Sequence, residues 1–188
     1  GYGGLGCLDP SLYRTTTDLE EELQYPEGHL GRVWFYVRYE PNSEKLLVTL
    51  LKIKNLPSRT VGTSNSCDPI VKLHLVPNQR RIQQSRQKKK TCNPFFDETF
   101  VFQVSEKELG DHSLKMTVLD SGRNKTQNTI GHVTFPLRHL AVEHPSDQLE
   151  LLKMDLEKVG IFMFKYYYKK PVSVNRHLQR SYLGRGSQ

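Results

Sequence analysis

The sequence predicts an all-β fold: an eight-stranded antiparallel β-sandwich, with an acidic N-terminal arm and a basic, aromatic C-terminal tail. Three observations carry this. Apolar and polar residues alternate with a period of two along most of the chain, whereas helical periodicity is scarce. The alternating runs are short and separated by turn-rich loops, the spacing of a sandwich. Finally, 188 residues, 36% of them hydrophobic and 25% charged, suffice for one packed domain but not for two ordinary ones.

The elements follow in chain order. Residues 1–27 are polar and acidic and read as a linker, with at most a short helix near Thr17–Leu23. Residues 28–158 hold the sandwich. Val33, Phe35, Val37 and Tyr39 alternate through 32–40, and a Pro41-Asn42-Ser43 turn leads into a second run, Lys45–Leu56. Pro69 forces Asp68 into an extended conformation at a loop exit. The third run, Ile70–Val76, then sets Val71, Leu73 and Leu75 against Lys72 and His74. The basic segment 84–91 is taken as the fourth strand. Asn93-Pro94 confines the chain to a turn, and Phe95 and Phe96 follow as apolar anchors. Phe100, Phe102 and Val104 continue that fifth run. Leu114, Met116 and Val118 mark the sixth, Val133, Phe135 and Leu137 the seventh, and residues 149–156 the last. Structural roles account for Asn93, Pro94, Phe96 and Gly131. Residues 159–188 form the tail, expected to be mostly disordered.

Charge is unevenly placed around the net +7. Arg80, Arg81, Arg86, Lys88, Lys89 and Lys90 crowd into 80–90 without an acid. Lys165, Lys169, Lys170, Arg176, Arg180 and Arg185 do the same in 160–188. Residues 1–28 set Asp9, Asp18, Glu20, Glu21, Glu22 and Glu27 against Arg14 alone. Such asymmetry favours an anionic partner: a lipid surface, a nucleic acid or an acidic protein face. No apolar run approaches the ~20 residues of a membrane helix, and no basic-then-apolar leader is present. A start at Gly1 fits a piece of a longer protein. Cys7, Cys67 and Cys92 have no paired spacing, so a reducing compartment is expected rather than a disulfide framework. The scattered histidines offer no zinc set. No phosphate loop, GxSxG elbow, HExxH motif or carboxylate dyad appears, so neither an enzyme nor a cofactor is expected.

Several motifs then combine. Leu30-Gly31-Arg32 opens the first strand and Asn55-Leu56-Pro57 ends the second. Cys67-Asp68-Pro69-Ile70-Val71-Lys72-Leu73-His74-Leu75-Val76-Pro77 spans the third. Lys89-Lys90-Thr91-Cys92-Asn93-Pro94-Phe95-Phe96-Asp97-Glu98-Thr99-Phe100 follows, and later Ile130-Gly131. Over roughly residues 28–157 this resembles a C2 domain of the synaptotagmin family, and Leu8-Asp9-Pro10-Ser11-Leu12-Tyr13 resembles the approach to the first such domain. The resemblance implies a Ca²⁺ site at one tip of the sandwich, where about five aspartates from two loops supply the oxygens a hard dication needs. Here only Asp68 and Asp120 stand at those positions. The early site falls near Arg59 and Thr60, Gly122 and Asn128 replace two further acids, and Arg123 and Lys125 add positive charge. Metal binding is therefore not expected, and the details fit an atypical, Ca²⁺-independent member.

The resemblance also implies that a basic fourth strand contacts acidic phosphoinositides, SNARE assemblies or endocytic adaptors. Arg80, Arg81, Arg86, Lys88, Lys89 and Lys90 occupy that segment. If 86–90 is extended, Arg86, Lys88 and Lys90 share a face about 7 Å apart, a row suited to an anionic bilayer at ~1 kcal/mol per cation. The same cations would also keep an exposed edge strand soluble. The expectation is a phospholipid- and protein-binding module in membrane trafficking or exocytosis. Its expected partners are anionic membrane and SNARE- or synaptotagmin-type trafficking proteins, with homo- or hetero-oligomers left open. A protein-docking or oligomerisation module without a lipid role is the alternative. Nucleic acid is not expected, because aromatics and cations do not share one sheet face. The expected location is cytoplasmic and peripheral on membranes, with an anchor ahead of residue 1 left open. Phe162, Phe164 and the tyrosines and lysines at 165–170 could lie at a membrane interface, extend the last strand, or be inert.

Overall fold

The computed structural model describes residues 25–77, 81–122, 126–142 and 151–158. The short helix expected near Thr17–Leu23, the tail 159–188 and Arg80 lie outside them. Eight strands form two four-stranded antiparallel sheets. In chain order they are β1 (Arg32–Glu40), β2 (Lys45–Lys54), β3 (Pro69–Val76), β4 (Gln83–Gln84), β5 (Phe95–Gln103), β6 (Ser113–Ser121), β7 (Gln127–Pro136) and β8 (Leu151–Asp155). The first sheet runs β5-β2-β1-β8 and the second β4-β3-β6-β7.

Period-two alternation becomes burial directly. Val33 and Phe35 of β1, Leu46, Val48 and Leu50 of β2, Val71 and Leu73 of β3, and Leu114, Met116 and Val118 of β6 meet between the sheets, each with essentially no exposed surface. Fully burying one such side chain is worth about 1.5–3 kcal/mol. Phe96, Phe100 and Phe102 line the inner face of β5 and join this core. The pairing expected of Phe95 with Phe96 is corrected. Successive strand residues point to opposite faces, so Phe96 is 5% exposed and Phe95 59%.

The chain also closes both sides of the sandwich. On one side the end strands β4 and β5 face each other. Gln83 Nε2 donates to Val101 O at 2.7 Å, and the Arg86 N–H reaches the Glu98 carboxylate at 3.1 Å. On the other side the residues after β8 return to β7. His132 and Glu157 exchange both backbone hydrogen bonds at 2.9 Å. That approach explains Gly131: a Cβ there would lie 2.7 Å from Glu157 O and 3.2 Å from Leu156 Cβ.

Two features depart from expectation. The fourth strand is two residues long instead of spanning 84–91. Past Gln84 the Ser85 hydroxyl takes the Val71 N–H at 2.9 Å, and the backbone then bends to serve both sheets. Among the described residues two short α-helices also interrupt the loops, α1 (Glu106–Leu109) and α2 (Arg138–Val142). The first starts at a capping box in which the Ser105 side chain accepts the Glu108 backbone N–H and the Glu108 carboxylate accepts the Ser105 backbone N–H at 3.3 Å, and the Ser105 hydroxyl also lies 2.8 Å from that carboxylate. The Ser-x-x-Glu spacing is the sequence signal for such a start.

The split between adjacent phenylalanines is testable by urea unfolding. Phe96→Ala should cost about 3–5 kcal/mol, as for a large core truncation. Phe95→Ala should stay within about 0.5 kcal/mol of the parent. Equal losses would mean that both rings are core residues.

Candidate functional site

The loops at one end of the sandwich assemble around a buried carboxylate. Asp120, near the end of β6, is only 7% exposed. It pairs in register with Pro69, and its Oδ1 accepts the Asp68 N–H at 2.9 Å. A carboxylate taken out of water in this way requires charge-bearing partners. Arg59, reaching over from the β2–β3 loop, supplies them. Its Nε donates to Asp120 Oδ2 at 2.7 Å and its Nη2 to Oδ1 at 2.5 Å. Such a two-pronged guanidinium–carboxylate pair is strong and geometrically specific. The same Nη2 lies 3.4 Å from Asp68 Oδ2. One guanidinium thus spans both acids that the sequence offered as residual metal ligands.

The loop is built to hold that arginine. Ser58–Ser66 closes on itself through Arg59 N–H to Ser66 O at 2.7 Å and Ser66 N–H to Ser58 Oγ at 3.1 Å. Its tip turns through Gly62, whose φ of +81° is one that glycine adopts without steric cost. Asn55, also left-handed at φ 59°, donates its N–H to Asn93 Oδ1 at 2.8 Å, so the Asn-Pro turn braces the base of the loop. Thr60 lies in the tip and accepts through its carbonyl from Thr63. Gly122 passes beside the guanidinium; a Cβ there would stand 4.0 Å from Arg59 Nε. Asn128 is the register partner of Asp120 and is exposed. Arg123 and Lys125 lie outside the described residues.

The electrostatics follow from the contacts. The hydrogen bonds from Arg59 hold the Asp120 carboxyl below its ordinary range, against the opposing effect of burial. The reciprocal bond to Asp120 pushes the Arg59 guanidinium up, so it stays charged. Beneath them Cys67 and Cys92 are buried free thiols. Burial, followed by the nearby Asp120, pushes the Cys67 thiol up to about 12. These are packing cysteines rather than reactive ones.

The basic segment is anchored to this cluster at one end and to β5 at the other. Asp68 Oδ1 accepts the Lys90 N–H at 2.8 Å, Lys88 N–H donates to Pro69 O at 2.9 Å, and Lys90 takes a left-handed φ of 52°. Arg81, Arg86, Lys89 and Lys90 are exposed, while Lys88 is half-buried with its Nζ 5.7 Å from the centre of the Phe96 ring. The regular row of Arg86, Lys88 and Lys90 expected from an extended strand is replaced by an irregular edge. Arg59, Lys89 and Lys90 line one open cleft together with Asp68. Among the described residues no cluster of three or more His, Cys, Asp or Glu could hold a metal ion, and no helix is long and apolar enough to cross a membrane.

A C2 domain model matches residues 44–152. The chain belongs to the C2 domain family. It is 36% identical to rat synaptotagmin-6 over 130 residues, which is 69% of this chain and 25% of that protein. It therefore spans a quarter of the length of that relative. Among solved structures it resembles a C2 domain of RIM from Drosophila, at 26% identity and a TM-score of 0.60, covering 69% of this chain and 99% of the other. It also resembles the third C2 domain of the KIAA1228 protein, at 27% identity and a TM-score of 0.61, covering 73% and 95%. A synaptotagmin-type C2 domain is a membrane- or lipid-binding module, regulatory rather than catalytic.

Removing the guanidinium tests this site. Arg59→Ala should lower the melting temperature by several degrees at pH 7, because Asp120 loses its main partner. The folded-state pKa of Asp120 is depressed below 3.8, so the contribution is complete above that value and fades as pH falls through the lower folded one. Melting curves of parent and variant should accordingly converge in acid. A gap that stays constant down to about pH 2, below the usual carboxylate range, would show that the arginine acts by packing alone.

Proposed function

We propose that the chain is a Ca²⁺-independent phospholipid- and protein-binding C2 module of a synaptotagmin-like protein in membrane trafficking or exocytosis. Within that family it is best read as the first C2 domain of an atypical member resembling synaptotagmin XV. The observation that carries this reading is Arg59, whose guanidinium bridges the Asp120 and Asp68 carboxylates. A dication needs several carboxylate oxygens free to close around it. Here both acids already face a covalently tethered cation, and Asp68 and Asp120 also accept backbone N–H groups. Binding Ca²⁺ would require expelling a charged arginine and leaving it beside the metal.

What remains is a cationic surface. Arg81, Arg86, Lys89 and Lys90 are exposed, and with Lys88 and Arg80 they form the proposed contact for an anionic membrane or an acidic trafficking partner of SNARE or synaptotagmin type. The module would act on the cytoplasmic face as a peripheral element, with oligomerisation as a further use of the same surface. A protein-docking role without lipid is the second reading. It is favoured by the irregularity of the edge, since cations at uneven spacing match a particular acidic surface better than a uniform bilayer.

Two measurements test the proposal. The melting temperature should be the same in about 1 mM Ca²⁺ and in chelator, since a ligand well above its dissociation constant must stabilise the fold; a rise of several degrees would sink the Ca²⁺-independent reading. Replacing Arg86, Lys89 and Lys90 together by glutamine should weaken binding to vesicles containing acidic lipid by ~10², at ~1 kcal/mol per cation, with little change in melting temperature. Unchanged vesicle binding, lost only on truncation after Lys158, would move the membrane contact to the tail. Absence of vesicle binding in the parent chain would favour protein docking.

A further inference from the structure

The cleft beside Arg59 holds more positive charge than its own acids use. Its volume is about 420 Å³, the size of a small-molecule site. Three walls meet in it. Arg59 and Ser66 come from the β2–β3 loop, Ser121 from the end of β6, and Gln87, Lys89 and Lys90 from the segment leading into β5. Asp68 is the one carboxylate among these lining residues, and it is already engaged. Its Oδ1 accepts the Lys90 N–H at 2.8 Å, and its Oδ2 lies 3.4 Å from Arg59 Nη2. Asp120 takes Nε and Nη2 of the same guanidinium. That leaves Nη1 without a partner among the described residues, on a side chain that keeps 32% of its surface. Lys89 and Lys90 make no ion pair among the described residues either. Arg59 and the two lysines thus outnumber Asp68 and Asp120, and the cleft stays cationic.

The backbone is shaped to bring both lysines there. Adjacent residues of an extended chain point to opposite sides, so one of two neighbouring lysines would ordinarily turn away. Lys90 instead takes a left-handed φ of 52°, a conformation that is costly for a residue with a Cβ. Two hydrogen bonds hold it: the Lys90 N–H to Asp68 Oδ1 and the Thr91 N–H to Cys67 O, each at 2.8 Å. The alternation breaks at this residue, and Lys89 and Lys90 line the same cleft.

The donors specify the chemistry of the ligand. Guanidinium and ammonium groups donate hydrogen bonds and accept none, so a ligand must offer acceptors toward several walls at once. A carboxylate is flat, with two oxygens, and a phosphodiester has two free oxygens. A phosphomonoester offers three strong acceptor oxygens and a charge of about −1.5 to −2 at pH 7. Hydrogen bonds between such an anion and these cations are of the strong, charge-assisted kind.

We propose that this cleft is a metal-free site for a phosphomonoester group, carried by a lipid headgroup or present as free phosphate. Arg59, Lys89 and Lys90 neutralise the group, and the Gln87 amide and the Ser66 and Ser121 hydroxyls supply further donors. The site rests on the Ca²⁺-independent reading, because a metal held by Asp68 and Asp120 would displace Arg59. Titrating the full chain with inorganic phosphate at constant ionic strength should shift the Ser66, Lys89 and Lys90 amide NMR signals saturably, and acetate should not. Vesicles carrying phosphatidic acid should bind severalfold more tightly than vesicles carrying phosphatidylserine at matched surface charge. Lys89→Gln with Lys90→Gln should weaken phosphate binding by roughly tenfold or more and remove that preference. Arg81→Gln with Arg86→Gln takes as many cations from the same segment but none from the cleft, and should leave the phosphate titration and the preference in place. All four residues are exposed, so both variants should melt with the parent, and the parent titration needs no variant at all. Equal, unsaturated shifts with phosphate and acetate would overturn the site, as would equal loss of phosphate binding in the two variants. Vesicle binding that survives such a result leaves the broader lipid-binding reading standing, so the two fail separately. Saturable phosphate binding without a preference between vesicles supports the site and makes free phosphate its ligand.

Discussion

A carboxylate taken almost out of water has to be answered, and at this end of the sandwich that requirement organises everything nearby. Asp120 sits where β6 leaves the sheet, opposite Pro69, so its position is set by strand register rather than by the loops. An unpaired charge there would be strongly destabilising. The β2–β3 loop folds back on itself to bring Arg59 over the carboxylate, and the Asp68 N–H completes the shell. Asp68 is held extended by Pro69 and passes the constraint onward by accepting the Lys90 N–H. The β2–β3 loop and the segment leading into β5 are thus tied, through Arg59 and Asp68, to one acid at the end of β6.

That chain of contacts governs how the basic segment is displayed. A free edge strand would follow the twist of β3 and set its cations out in alternation. Here the backbone N–H groups of Ser85, Arg86, Lys88 and Lys90 go respectively to Val71, Glu98, Pro69 and Asp68. These partners lie on both sheets and on the loop cluster. The segment therefore seals the sandwich instead of extending a sheet, and it blunts an edge that would otherwise invite strand pairing. The cations follow from that geometry: Lys88 folds back over Phe96, whereas Arg86, Lys89 and Lys90 face solvent. Backbone satisfaction decides which charges are presented, and the count of charges alone does not.

Most of the architecture is legible in the sequence because period-two alternation and burial are the same fact seen twice. Val71, Leu73 and Leu75 share a face by parity and are buried together. Legibility fails where a tertiary partner overrides the local pattern. Phe95 and Phe96 look equivalent as letters, and only strand parity separates them. Residues 84–91 look extended, but the Ser85 hydroxyl substitutes for the ladder and the strand ends. At the site, the missing acids and the positive charge of Arg59 are visible. Its two-pronged grip on Asp120 is not, because it depends on a loop conformation set by Gly62 and Ser66.

Under the proposed Ca²⁺-independent function, a tethered cation stands where a diffusible one would, and that changes the kind of control such a site can exert. A metal site is loaded in proportion to the metal concentration, so its charge and rigidity vary with the surroundings. The Arg59 guanidinium is always present and, hydrogen-bonded to Asp120, stays protonated. The loop end therefore holds one electrostatic state across the range in which cells work. Under the proposed function, any regulation of membrane or partner contact has to come from elsewhere. The remaining levers are ionic strength, which weakens contacts between exposed charges, and competition among the chain's own charged segments. A sequence with two cationic stretches and one acidic stretch has that competition built in. On that reading the module depends less on a ligand-gated tip than on a balance of charged surfaces.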